Sequence, residues 1–385
     1  MKQSRTYRIA VAGAAGMALV TGATGAAAAH TGRPPHPTGC AGTLSYAESG
    51  ASTAAAATRH VTVADLNGDG RKDVVATNLD DDSVTVLLGR GGGTFAPGTT
   101  YAVGTHPYQT VVADFDGDGH PDLAATDFGG AQVSVLLNNG DGGFAEATAL
   151  DVGASPRAIA TGDLNGDGHQ DLVVAEQGPN AVRVLLGNGD GTFDDLGDTA
   201  TGGQPHGIVV ADFDGDGAPD VATASVGSDG VSVLPGDGAG GLGTAVDYAA
   251  ASRLYSLAKG DFNADGATDL ATVSNDSDTL DVLVGNGDGT FQSATAYTTP
   301  ALPVAVGAAD LDRDGATDIL VSSLKGNSVT VFQGSADGSP ILLTELAATG
   351  AYDATATDLD GNHVPDLVVA NSTAGEVDVF KGSCS

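Results

Sequence analysis

A nine-residue pattern, D-x-[DN]-x-D-G-x-x-D, recurs along this chain of 385 residues at a nearly fixed interval. The first copy runs from Asp65 to Asp73, and five more begin at successive intervals of 49 residues. A seventh, altered copy begins at Asp358, 48 residues after the sixth. A period of this size over most of a chain is typical of an architecture that repeats one structural unit many times.

Each copy has the composition of an all-oxygen cation site. Asp or Asn at positions 1, 3 and 5 places oxygens on the inner side of a tight loop, and Gly at position 6 permits the chain reversal. The carbonyl of position 7 and the carboxylate of position 9 can complete the site. Ca²⁺ accepts six to eight oxygens at about 2.3–2.6 Å, whereas Mg²⁺ requires a stricter octahedron. The lack of thiolate ligands argues against zinc and copper.

We therefore predict about seven calcium ions, one in each copy of the pattern. The alternative for any single copy is a polar turn without metal, but seven copies in register favour metal. The predicted calcium ligands are Asp65, Asn67, Asp69, Arg71, Asp73, Asp114, Asp116, Asp118, His120, Asp122, Asp163, Asn165, Asp167, His169, Asp171, Asp212, Asp214, Asp216, Ala218, Asp220, Asp261, Asn263, Asp265, Ala267, Asp269, Asp310, Asp312, Asp314, Ala316, Asp318, Asp358, Asp360, Asn362, Val364 and Asp366.

Position 7 varies widely among the copies, which fits a ligand that offers only its backbone carbonyl. His120 and His169 at this position are then expected to be solvated rather than catalytic. The EF-hand loop begins in the same way, but its position 12 needs a bidentate Glu, and here that position is Ala, Val or Thr. In the seventh copy, Asn362 and His363 replace the usual Asp and Gly, so His363 is expected to adopt an unfavourable backbone angle.

The loop, its β-rich flanks such as VTVAD and DVVAT, and the following GNGDGTF resemble the FG-GAP or VCBS repeat. The same kind of loop occurs in the propeller of integrin α subunits. The resemblance covers roughly residues 40–385. It implies a β-propeller and extracellular calcium binding, but it does not imply one molecular function.

The repeat itself predicts an all-β fold, a seven-bladed β-propeller of four-stranded antiparallel blades. In the second repeat, TVVADF, LAATDF, SVLLNN and GFAEATALDV are the expected strands, and DGDGHPD is the loop between the first two. Four strands in a repeat of this length make one propeller blade. The residue before each first Asp is small, from Ala64 to Thr357, as suits strands crowded around an axis.

The two cysteines lie where such a ring must close. Cys40 opens a segment, CAGTLSYAESG, that resembles the fourth strand of a blade, and Cys384 follows the last third strand, VDVFKG. We expect the N-terminal strand to complete the seventh blade and a Cys40–Cys384 disulfide to lock the closure, as an oxidising compartment permits. The alternative is two free thiols.

Residues 1–29 have the features of a secretory signal peptide: an early positive charge, an apolar stretch and an Ala-Ala-Ala cleavage site. A membrane anchor is the alternative, but the apolar run is short and rich in Gly and Ala. Residues 30–39 form a Pro-rich tether, and residues 40–385 form the propeller. We therefore expect a secreted, extracellular protein that does not insert into membranes.

The formal net charge is −34, and 24 of the 49 acidic residues belong to the seven loops. Calcium would offset part of this charge. The remaining acidity repels nucleic acid and anionic membrane surfaces, so neither is an expected partner. A monomer that binds an extracellular protein or glycan is the expected form.

One position, six residues before each first Asp, is varied and rich in contact-prone side chains. In a propeller these residues form a ring near the axis, at the end of the inner strands opposite the calcium loops. Tyr and Arg are enriched at binding hot spots. The alternative is that they only cover strand ends. The candidate ligand-binding residues are Arg59, Tyr108, Arg157, His206, Tyr255 and Tyr352, with Val304 as the remaining member.

These features predict a calcium-stabilised binding or adhesion module. A calcium-dependent lectin with its site at the axial funnel is the alternative, although Trp is absent. A polysaccharide-acting enzyme is less favoured, because no nucleophile elbow and no H-E-x-x-H motif is present and the acidic pairs are used by the loops. We expect no enzyme and no catalytic residue.

Overall fold

A computed structural model describes residue 40 and residues 43–55, 57–336 and 338–385. The predicted signal peptide, residues 1–29, and the predicted tether, residues 30–39, therefore lie outside the described residues. The described chain contains seven four-stranded antiparallel sheets and one two-stranded sheet. The predicted all-β, seven-bladed propeller is thus confirmed.

Each blade contributes one strand to each of four concentric layers. The innermost strands are Thr58–Ala64, Pro107–Ala113, Pro156–Gly162, Pro205–Ala211, Leu254–Gly260, Pro303–Ala309 and Ala351–Thr357. The second strands are Asp73–Asn78, Asp122–Asp127, Asp171–Glu176, Asp220–Ser225, Asp269–Ser274, Asp318–Ser323 and Asp366–Asn371. The third strands are Ser83–Leu87, Gln132–Leu136, Ala181–Gly187, Val231–Leu234, Thr279–Leu283, Ser328–Gln333 and Glu376–Cys384. The outermost strands are Thr99–Ala102, Thr148–Asp151, Phe193–Ala200, Val246–Tyr248, Thr295–Thr298, Ile341–Ala347 and Leu44–Thr53.

The second strand of every blade is buried along its whole length. Successive side chains of a strand point to opposite faces, so each blade packs against both neighbours. In blade 2, Leu123 and Ala125 belong to the core shared with blade 1, while Ala124 belongs to the core shared with blade 3. Seven such cores, one between each pair of adjacent blades, complete the ring.

The ring closes within the seventh blade, as predicted. Strand Leu44–Thr53 pairs antiparallel with strand Glu376–Cys384, and Leu44 lies opposite Cys384. A disulfide joins Cys40 to Cys384 across a Cα–Cα distance of 5.6 Å, which confirms the predicted pairing.

Two predicted strand boundaries in blade 2 are wrong. The third strand ends at Leu136, before the two Asn residues, and the outermost strand begins at Thr148 rather than Gly143. The intervening segment is a turn that is closed by an isolated bridge between Asn138 and Phe144. The reason is packing, since Phe144 is buried at the junction with blade 1 beside Tyr101, at a ring separation of 5.4 Å.

One short hairpin, Gly89–Gly91 paired with Thr94–Phe95, stands between the third and outermost strands of blade 1. Within the described part of the chain, no helix has the length and apolar character needed to cross a bilayer.

Replacing Cys40 and Cys384 by Ser should destabilise the ring at its seam. The disulfide closes a loop of 344 residues, and the chain-entropy model assigns about 5–6 kcal/mol to so long a loop. We expect a lower free energy of unfolding in urea. Reducing agent should lower the stability of the wild type and leave the double variant unchanged; equal stability of the two oxidised proteins would contradict the prediction.

Candidate metal loops and axial channel

The seven acidic loops join the innermost strand of each blade to its second strand, as predicted. The turn depends on left-handed backbone at two positions, because Gly68 at position 4 has φ of 68° and Gly70 at position 6 has φ of 81°. A Cβ atom would meet nothing within 4 Å at either glycine. The requirement for glycine is therefore conformational rather than steric.

Three loops place another residue at a left-handed position. His363 at position 6 has φ of 68°, which confirms the unfavourable angle expected there. Ala264 and Arg313, both at position 4, have φ of 56° and 63°. The nine-residue pattern does not include this second requirement, although Gly at position 4 of the other loops is a signal of it in the sequence.

Carboxylate and amide oxygens hold each loop in shape by accepting backbone hydrogen bonds. In the first loop, Gly70 donates to Asp65 Oδ2 at 2.9 Å, Asp69 donates to Asn67 Oδ1 at 3.1 Å, and Arg71 donates to Asp69 Oδ1 at 2.9 Å. The same three bonds occur in the other six loops. The side chains at positions 1, 3 and 5 are thus oriented by the loop itself.

The ninth-position aspartate has a structural role that the sequence analysis did not assign. Asp73 Oδ2 accepts a bond from Leu66 N at 2.8 Å, and Oδ1 accepts one from Gly89 N at 2.7 Å. All seven ninth-position aspartates are buried and accept the corresponding pair of bonds. This residue therefore ties the loop to the turn that follows the third strand.

Four loops bring three carboxylates together at positions 1, 3 and 9. Within each group, one oxygen from every residue lies within 4.8 Å of the others. The groups are Asp114, Asp116 and Asp122; Asp212, Asp214 and Asp220; Asp310, Asp312 and Asp318; and Asp358, Asp360 and Asp366. The other three loops have Asn at position 3. An all-oxygen group of this kind could hold a hard metal ion, while ligation by positions 5 and 7 stays a prediction.

Burial raises the pKa of the ninth-position carboxyl groups. The pKa of Asp122 and of Asp269 rises to about 6, and that of Asp318 rises to about 7. Desolvation is the main cause, and the neighbouring loop carboxylates add to it. The two backbone hydrogen bonds lower the pKa of each group, but they offset only part of the rise. Without a cation, each of these groups therefore resists ionisation.

The seventh loop differs from the others in its surroundings. Lys381 Nζ lies 3.7 Å from Asp360 Oδ2, and Asn362 Nδ2 donates to the carbonyl of Gly382 at 2.9 Å. An ammonium group beside the position 3 carboxylate competes with a metal cation for that oxygen. The structure thus adds a reason to expect the weakest metal site here.

The six candidate ligand-binding residues and Val304 lie together at the opposite end of the innermost strands. An innermost strand has seven residues and spans about 20 Å, so the ring at one end lies about 20 Å from the metal loops at the other end. All seven residues line one axial cavity. The predicted convergence of these residues on the axis is therefore observed; their role in binding a ligand stays a prediction.

Most side chains of this ring form hydrogen bonds or ring contacts with one another. Arg157 Nε donates to His206 Nε2 at 2.8 Å, and the guanidinium lies over the ring of Tyr108. The hydroxyl groups of Tyr108 and Tyr352 are hydrogen-bonded to each other. The His206 ring lies 4.2 Å from that of Tyr255. These contacts fill most of the channel and leave a cavity of about 110 Å³, well below the roughly 300–1,000 Å³ of typical ligand pockets.

The family model of the FG-GAP-like repeat matches residues 65–125, 114–174, 163–223, 212–272, 261–321 and 310–369. Each match begins at the first Asp of one loop and extends beyond the next. No curated protein matches the chain.

Several solved structures share the fold. BBS1N, solved in complex with ARL6DN, has a TM-score of 0.64 at 14% identity, over 87% of this chain and 96% of that one. A lectin from Agrocybe aegerita, described as recognising non-reducing terminal N-acetylglucosamine, has a TM-score of 0.55 at 23% identity, over 85% of each chain. The periplasmic gluconolactonase PpgL of Pseudomonas aeruginosa has a TM-score of 0.59 at 16% identity, over 81% and 88%. At these identities the likeness concerns the fold alone.

The metal-free protein should become more stable as the pH falls from about 7.5 to about 5. A raised pKa in the folded state means that protonation favours folding, so this contribution is present at low pH and is lost as the pH rises through the folded values of about 6 and 7. Thermal unfolding in excess chelator measures the effect. Saturation with metal should reverse the trend, because the ionised carboxylates are then stabilised; a chelated protein that loses stability over this range would refute the assignment.

Proposed function

Because the chain belongs to the FG-GAP-like repeat family, we propose that it is a calcium-binding β-propeller that acts outside the cell as a binding or adhesion module. The observation that carries the proposal is the group of three carboxylates at positions 1, 3 and 9, within 4.8 Å of one another in four loops. The same loop geometry recurs on one face of all seven blades.

Calcium is the cation that suits these donors best. They are carboxylate, amide and carbonyl oxygens on a loop, which fits the irregular geometry and high coordination number of Ca²⁺ better than the strict octahedron of Mg²⁺. Two like charges about 4 Å apart repel by about 1 kcal/mol even in water. A bound cation removes that repulsion and compensates the buried ninth-position charge. We propose about seven ions in all, with the Asp358–Asp366 loop binding most weakly.

An extracellular location agrees with several features. The Cys40–Cys384 disulfide suits an oxidising compartment, and extracellular calcium modules bind at about 10⁻⁴–10⁻³ M, so their sites are filled outside the cell. The acidic composition disfavours nucleic acid as a partner. An extracellular protein or glycan is the partner that we propose.

A calcium-dependent lectin is the second candidate function. The likeness of the fold to a lectin supports it, as do the tyrosines of the axial ring. The packing of that ring weakens it, because its side chains contact one another and leave a cavity of about 110 Å³, well below the roughly 300–1,000 Å³ of typical ligand pockets. A glycan would therefore contact the mouth of the channel.

We propose no catalytic role. The four carboxylate groups are nearly identical from blade to blade, whereas a single active site needs local asymmetry. The likeness to the gluconolactonase PpgL is at 16% identity and carries the fold only.

Removal of calcium should lower the melting temperature markedly, since several carboxylates in each loop then repel one another.

Asp163→Asn and Asp358→Asn form a matched pair, because both residues stand at position 1 and accept backbone bonds from their own loop. We expect Asp163→Asn to reduce the calcium-dependent gain in melting temperature more than Asp358→Asn. If the melting temperature of the wild type does not change in EGTA, the calcium proposal is wrong.

Binding to arrays of glycans and extracellular polysaccharides at millimolar calcium separates the two candidate functions. A lectin with an axial site should lose binding in a Tyr108/Tyr255/Tyr352→Ala variant and retain it in Tyr297→Ala, which alters an outermost strand. Binding that survives the triple variant would place the glycan elsewhere. No glycan binding by the wild type would reject the lectin and leave a protein partner, to be sought by calcium-dependent capture.

A further inference from the structure

The axial channel concentrates positive charge in a strongly acidic protein. The net charge is −34, yet Arg59 and Arg157 line the same small cavity. They belong to the innermost strands of blades 1 and 3, so two guanidinium groups converge from different parts of the ring.

Arg157 is almost completely removed from solvent, at 5% exposure. Its Nε donates to a neutral acceptor, His206, and its guanidinium lies over the ring of Tyr108. None of the carboxylates in the described residues forms an ion pair within 4.0 Å of it. Burial lowers the pKa of Arg157 to about 10, so the group is still charged at neutral pH.

Arg59 is the second cation of the cavity. Its guanidinium carbon lies 4.4 Å from the centre of the Tyr352 ring. Its Nε is buried and has no hydrogen-bond partner. A buried charged donor without a partner is costly, so a ligand that offers an acceptor at this point would be favoured.

Asp353 is the one carboxylate among the residues that line the cavity, and it is engaged elsewhere. Its Oδ2 accepts a bond from Val61 N at 3.1 Å and lies 3.7 Å from His60 Nε2. It forms no ion pair with either arginine within the described residues. The two guanidinium charges therefore have no protein counter-ion in direct contact.

We propose that the axial channel binds a carboxylate group through Arg59 and Arg157. A guanidinium presents a planar fork of donors that matches a carboxylate, and such charge-assisted bonds are about twice as strong as neutral ones. A cavity of about 110 Å³ is large enough for a group of the size of acetate. The site is separate from the calcium role, because none of its residues belongs to a metal loop.

Thermal unfolding at millimolar calcium tests the proposal, with sodium acetate replacing sodium chloride at constant ionic strength. The wild type should show a saturable rise in melting temperature. Arg59→Gln should weaken the apparent affinity for acetate roughly tenfold. Arg90→Gln removes an exposed arginine far from the axis and should respond as the wild type does. Arg157→Lys keeps the charge but loses the fork, and should also weaken acetate binding.

Either of two results would contradict the proposed carboxylate site. One is a wild-type response to acetate no greater than that to chloride; the other is an equal response in wild type and Arg59→Gln, which would mark a general salt effect. Triglycine and triglycine amide then distinguish the source of the carboxylate. If acetate stabilises the protein, additional stabilisation by triglycine but not by triglycine amide would indicate that the C-terminus of a partner reaches the channel, and stabilisation by acetate but by neither peptide would indicate a free small acid.

Discussion

Burial of the second strand on both faces is the constraint on which the rest of this structure depends. Leu123 faces one neighbouring blade and Ala124 faces the other, so one blade alone would expose the apolar side chains of both its faces. Cutting one such leucine to alanine costs about 2–5 kcal/mol in a well-packed core. Only a closed ring satisfies every blade, which is why the seam at strand Leu44–Thr53 carries both a full strand pairing and a disulfide.

The ninth-position aspartate couples the metal loop to that core. Asp73 begins the buried second strand, yet its carboxylate holds the amide of Leu66 in the loop and that of Gly89 after the third strand. A cation at the loop would therefore compensate a charge that lies inside the fold. Any metal bound at the loop would thus be linked to blade stability through this buried residue, rather than through the less buried carboxylates at positions 3 and 5.

The two ends of the innermost strands differ in how closely they repeat from blade to blade. At one end the loops are nearly the same in all blades, as stabilising sites in a symmetrical ring should be. At the other end, Arg59, Arg157 and Tyr352 differ from blade to blade and meet on the axis. Variation at a point where seven strands converge produces a single asymmetric site from a repeated fold, and this is where we place specific recognition.

The sequence by itself determined the period, the blade count, the acidic loops and the closing disulfide, because these depend on residues close in the chain or on the repeat. It also predicted that the axial residues converge. It did not reveal the left-handed backbone of Ala264 and Arg313, nor the bond from Gly89 to Asp73, 16 residues apart. The contacts of Arg157 with Tyr108 and His206 join three blades. Only the packing of the ring decides these contacts. No local sequence pattern indicates which side chains pack together in the channel.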